Sequence, residues 1–163
     1  MHYKMRDQIR FKIGKEEKNI QEKWIEIPEG IEHIQMMIEM PEEFQYMAFL
    51  FLEDPKKEIR FQKLLGYGQQ NPGIGKSTKD TTIGGVPGEI YPGTWKIGIG
   101  IFTEYVAQKL GEQTGEIVLT VSDRKDEVSD PIGGECWVEN GLHVSEQSYR
   151  WENVFCPESG WYK

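Results

Sequence analysis

The residues that could carry chemistry are few and scattered. Two cysteines, Cys136 and Cys156, are the strongest nucleophiles available, yet neither lies in a context that would lower its pKa and supply thiolate. Two cysteines cannot build a disulfide framework, and in a reducing compartment they are read as free thiols. The histidines, His2, His33 and His143, form no His-x-His or His-x-x-x-His pair. Cys136 and His143 alone do not make a zinc site, which needs four converging ligands. Metal catalysis by this chain alone is not expected.

Two further patterns invite a sharper reading. Gly73-Ile74-Gly75-Lys76-Ser77-Thr78 looks like a phosphate-binding loop, but the first glycine of that pattern falls on Gln70. Such a loop must also open a helix, so that stacked amides face the phosphates. Here Thr81, Thr82, Gly84, Gly85 and Pro87 follow instead. The acidic residues Glu53-Asp54 and Asp123, Asp126, Glu127 and Asp130 have the right oxygens for calcium but not the spacing of an EF-hand loop. No carboxylate pair marks a glycosidase. Trp137, Trp151 and Trp161, with Tyr162, gather in the last third of the chain. Exposed, such aromatics stack on sugar rings; buried, they fill a core or an interface.

The elements that must position these residues read as strands. Ile34, Met36, Ile38 and Met40 alternate with Gln35, Met37 and Glu39, the pattern of a strand with one wet face. Trp24–Ile27 reads as another, ended by Pro28-Glu29-Gly30. Tyr46–Leu52 is apolar on both parities, as in a strand covered on both faces, and Ile59–Leu65 continues the series. Residues 66–94 are dense in Gly and Pro and read as loop. Trp95, Ile97, Ile99 and Ile101 alternate with Lys96, Gly98, Gly100 and Phe102, and small residues on that second face imply close approach by a neighbour. Ile117, Leu119 and Val121 form another half-buried strand. Residues 104–110 allow two helical turns, stopped by Gly111, and Asn140-Gly141 marks a tight hairpin.

Together these predict an all-β antiparallel sandwich, jelly-roll-like, over residues 1–121. A linker, a C-terminal hairpin extension and a connecting segment occupy 122–163. The bulk properties agree: 163 residues suit one domain plus an extension, and 12% aromatic residues are enough for a core. A formal charge of −8 and a pI near 5.0 argue against a nucleic-acid binder. No apolar run approaches the ~20 residues of a membrane span. The N-terminus lacks the apolar stretch of a secretory signal, so the cytoplasm is the expected location.

One ordered series of motifs goes further. Leu52-Glu53-Asp54-Pro55 closes an apolar strand; Gly84-Gly85-Val86-Pro87-Gly88-Glu89-Ile90 and Tyr91-Pro92-Gly93-Thr94-Trp95-Lys96-Ile97 follow a long loop; the chain ends Ser159-Gly160-Trp161-Tyr162-Lys163. In that order the series resembles the N-terminal domain of CehA/McbA-type metallohydrolases, which join a β-sandwich to a catalytic PHP (polymerase and histidinol phosphatase) domain. The resemblance covers residues from about 20 to 121 and the last five. In that family a Trp-Tyr-(Lys/Arg) segment runs into the Gly-Asp-Leu-His-x-His that opens the metal site, and this sequence reaches only Lys163. The family's catalytic ligands have no matching position here.

The resemblance therefore implies a non-catalytic accessory domain with no cofactor of its own. Its parent would be a metal-dependent hydrolase, a phosphoesterase in type, using Mn, Zn or Fe to activate water. The expected partner is the PHP domain of the same polypeptide, with the sandwich packing on the barrel, shaping its mouth or holding subunits together as a homo-oligomer. Trp137, Trp151, Trp161 and Tyr162 are the candidate interface or ligand-contact residues. The reading from another class is an autonomous carbohydrate- or small-ligand-binding module; a third is an enzyme using Cys136 or Cys156.

Overall fold

A computed structural model describes residues 4–66, 68–125 and 130–132, and they form an antiparallel β-sandwich. The first sheet orders its strands β1 (Arg6–Ile13), β9 (Gly115–Ser122), β3 (Ile34–Met40) and β6 (Gly68–Gln70), with the short β7 (Gly73–Ile74) also paired to β3. The second orders β2 (Ile20–Ile27), β8 (Gly93–Ile101), β4 (Ala48–Glu53) and β5 (Ile59–Leu64). The helix α1 (Thr103–Leu110) carries the chain from β8 in one sheet to β9 in the other, and buries Val106 in the core. It stops at Gly111, whose φ of 61° suits glycine.

Alternation decides which face goes inward. Ile9, Leu119 and Ile38 lie in register across the first sheet and point into the core. Facing them, Ile99 and Leu50 pair across the second sheet, as do Ile97, Leu52 and Phe61. Burying each such side chain contributes roughly 1.5–3 kcal/mol, which is what fixes the register, since a one-residue slip would turn the whole row outward. Trp95 is fully buried and donates its indole N–H to the Tyr91 carbonyl at 2.8 Å, so its one polar atom is satisfied.

The outcome departs from the sequence reading in four places. β1 was not among the expected strands, although Ile9, Phe11 and Ile13 alternate with Arg10 and Lys12 in the usual way. The Gly-rich stretch holds β6, β7 and a 3-10 turn at Thr78–Asp80, so it is a pinned structure rather than free loop. Among the described residues no second layer covers the outer face of β4, where Phe49 and Phe51 are half-buried. Finally, part of the expected surface linker is docked, with Pro131 bridging Thr82 and Ile132 only 4% exposed.

Candidate functional site

Asp54, the Gly84–Glu89 loop and Trp95 are apart in sequence and meet around one side chain, Arg60. Asp54 ends β4 and turns the chain, its Oδ1 accepting from the amides of Lys56 and Glu58 at 2.8 and 3.0 Å. The pairing then skips Arg60, since Glu53 faces Ile59 and Leu52 faces Phe61. This bulge turns Arg60 inward beside Phe61, where both are buried. Its Nη1 lies 3.3 Å from Asp54 Oδ2 and donates to the Glu89 carbonyl at 2.8 Å, while Nε donates to the Val86 carbonyl at 3.1 Å. The guanidinium stands 5.5 Å from the centroid of Trp95, which the same loop delivers.

Glycine is required where that loop approaches β5. Gly84 has a φ of 104°, and a Cβ there would lie 2.6 Å from the Gln62 carbonyl oxygen. From there the loop hydrogen-bonds along the β5 edge, Gln62 N–H to Gly84 O and Val86 N–H to Arg60 O. The cluster is a structural staple: Asp54 and Arg60 pair their charges, and Arg60 Nε and Nη1 face backbone carbonyls.

The phosphate-loop look-alike is structural too. The amides of Gly73 and Gly75 donate to the hydroxyls of Thr82 and Thr81 at 3.0 and 3.1 Å, so they do not cradle an anion. Side chains explain the two glycines: a Cβ at Gly73 would meet the His33 ring at 2.9 Å, and one at Gly75 would meet Asp80 Cβ at 2.7 Å. Asp80 accepts from the Ser77 hydroxyl at 3.0 Å and pairs with Lys125. Its carboxyl is held below the usual range, chiefly by the Lys125 hydrogen bond, with Ser77 and the charge of His33 adding to it.

The two outer faces differ in character. Outside the first sheet, β1 presents Arg6, Gln8, Arg10 and Lys12, all exposed. Outside the second, Ile20, Gly100, Phe49 and Leu64 form one row, and Trp24, Lys96, Glu53 and Ile59 another. Between them Phe51 lies over Gly98, where a Cβ would fall 2.0 Å from its ring. Above Gly100 there is open space, and it continues into a groove of about 640 Å³ lined by Ile20, Phe102, Tyr105, Asn19, Thr103 and Glu104. Trp24 is 59% exposed, Ile20 58% and Tyr105 43%. Lys96 sits between Glu53 and Glu22 at 3.1 and 3.2 Å. Hydrogen bonds to Glu53 first and Glu22 second raise its pKa.

Trp137, Trp151, Trp161 and Tyr162, with Cys136, Cys156, His143 and the expected hairpin at Asn140-Gly141, lie outside the described residues. Of the acidic candidates, Asp54 is spent on its turn and on Arg60, and Asp123 accepts from the Lys4 and Met5 amides. Among the described residues no three His, Cys, Asp or Glu side chains are gathered to hold a metal. None of their helices is long and apolar enough to cross a membrane. The exposed aromatic groove was missed in the sequence; its one local signal was Gly100 beside Phe102. No protein-family model matches the chain, and a search of curated proteins finds no match.

Proposed function

We propose that this chain is the accessory β-sandwich of a CehA/McbA-type metal-dependent hydrolase, whose catalytic ions are held by a PHP domain beyond these residues. The observation that supports this reading is the convergence of the resembling motifs. Asp54-Pro55, Gly88-Glu89 and Tyr91–Trp95 pack as one connected unit around Arg60, as expected if they belong to one motif series. The described residues do not fit a metal centre, and no catalytic step is assigned to them. Their role is to pack and present surface. An antibody to this chain should detect, in its source cells, a polypeptide well above 18.9 kDa. A band at that mass, or phosphoester hydrolysis by the purified chain with manganese or zinc at ordinary enzyme rates, would overturn the reading.

The groove favours a second reading, a carbohydrate- or small-ligand-binding module. Tyr105 and Phe102 offer ring faces, Asn19 and Glu104 offer hydrogen-bonding groups, and Trp24 stands on the same outer sheet face. Glycan-array binding that is lost in Trp24→Ala or Tyr105→Ala, with the fold retained, supports it; an array with no signal removes it.

A further inference from the structure

We propose that residues 133–163 fold back over the outer face of the second sheet, with a hairpin centred on Asn140-Gly141 as its cover. The face is unusually apolar for one left to water. Ile20, Phe49 and Leu64 lie in one row of it, Trp24 and Ile59 in another, and Phe51 stands between the rows. Ile20, Trp24, Ile59 and Leu64 are 41–59% exposed, so the apolar surface is continuous from β2 to β5. A patch of this kind marks a surface on which something packs. Lys96 on the same face already lies between Glu53 and Glu22 at 3.1 and 3.2 Å, so a cover need not bring it a counter-ion.

The chain itself supplies the occupant. Ile132 N–H bonds Thr81 O, and Pro131 bridges Thr82. Thr82 O in turn accepts from Gly85, which bridges Phe61 of β5. The described fold therefore ends a few hydrogen-bonded steps from β5, the edge strand that carries Ile59 and Leu64. Residues 133–163 can span about 100 Å at ~3.3 Å each, against roughly 15 Å for the width of a four-stranded sheet. Both outer faces are within that reach, and polarity chooses between them. The other face is lined along β1 by Arg6, Gln8, Arg10 and Lys12.

The sequence of the segment matches the apolar face. A two-residue turn at Asn140-Gly141 pairs Glu139 with Leu142 and Trp137 with Val144. Alternate pairs share a side, so Trp137, Leu142 and Val144 fall together, with Glu139. A hairpin by itself is marginal in water and needs a layer beneath it. The exposed face is the apolar layer that the described residues offer.

Hydroxyl-radical footprinting of the full chain, over a range of concentrations, tests this at Trp24 and Leu64. Met37, exposed on the first sheet, is the reference. In the full-length triple variant Trp137→Ser, Leu142→Ser, Val144→Ser, labelling of Trp24 and Leu64 should rise severalfold at every concentration, with Met37 unchanged. Equal labelling in variant and wild type overturns the proposal and leaves the face to a ligand or another domain. Protection that grows with chain concentration overturns it in favour of a second copy. Should the variant fail to fold, NMR of the dilute wild type decides. NOEs from the Leu142 or Val144 methyls to the rings of Trp24, Phe49 or Phe51 support the cover, and their absence overturns it.

Discussion

Asp54 and Arg60 are six residues apart and face each other at 3.3 Å, with side chains 0% and 4% exposed. The bulge that inserts Arg60 into β5 is what allows the pair to form. Around it are tied the β4–β5 turn, the Gly84–Glu89 loop and the Trp95 strand, so this pair adds a buried side-chain tie where backbone pairing already brings these pieces together.

Removing one partner leaves the other charge buried. Asp54→Asn or Arg60→Met should therefore destabilise the fold by about 3–5 kcal/mol in urea titrations. The double variant should lose less than the sum of the two, because no unpaired charge remains. Strict additivity would show that the two side chains act independently.

Trp95→Ala should cost roughly 3–5 kcal/mol, since a fully buried indole and its hydrogen bond are both lost. A melting temperature within error of wild type would refute its place in the core.

Gly98 and Gly100 are two residues apart on one face of β8 but are not equivalent. Gly98→Ala drives a methyl into Phe51 and should cost about 1–3 kcal/mol, partly relieved by Phe51→Leu. Gly100→Ala meets nothing within 4 Å and should be neutral or stabilising by about 0.4–1 kcal/mol through the unfolded state. Equal effects in thermal unfolding would contradict the register of β4 against β8.

Lys96 gains its partners on folding, so its folded pKa lies above the unfolded value. The stability this contributes is full below the ordinary lysine range and fades as the pH rises through the raised value. Lys96→Met should lie below wild type at neutral pH and converge with it in strong alkali, as read by urea midpoints. Parallel curves throughout would show that the Glu22–Lys96–Glu53 group is energetically idle.

Much of the sandwich was legible because strand alternation is local. Met36 and Ile38, or Ile97 and Ile99, announce their inward faces without reference to any other strand, and Gly111 ends α1 by its own conformation. Trp95 was likewise readable as inward-facing from its alternation with Ile97 and Ile99. The candidate groove was not, because Asn19, Ile20, Gly100 and Tyr105 come together only when β2 pairs with β8 and α1 folds over the end of the sheet.

The sequence by itself determined the all-β class, most strands and the identity of the core, since hydrophobic period and turn chemistry act between near neighbours. Tertiary structure alone decided that Arg60 turns inward, that Phe51 covers Gly98 and leaves Gly100 open, and that Gly73 and Gly75 make room for His33 and Asp80 rather than for a phosphate. Those outcomes depend on register and on a single inserted residue. Both are fixed by the packing of distant strands, so no local window of residues contains them.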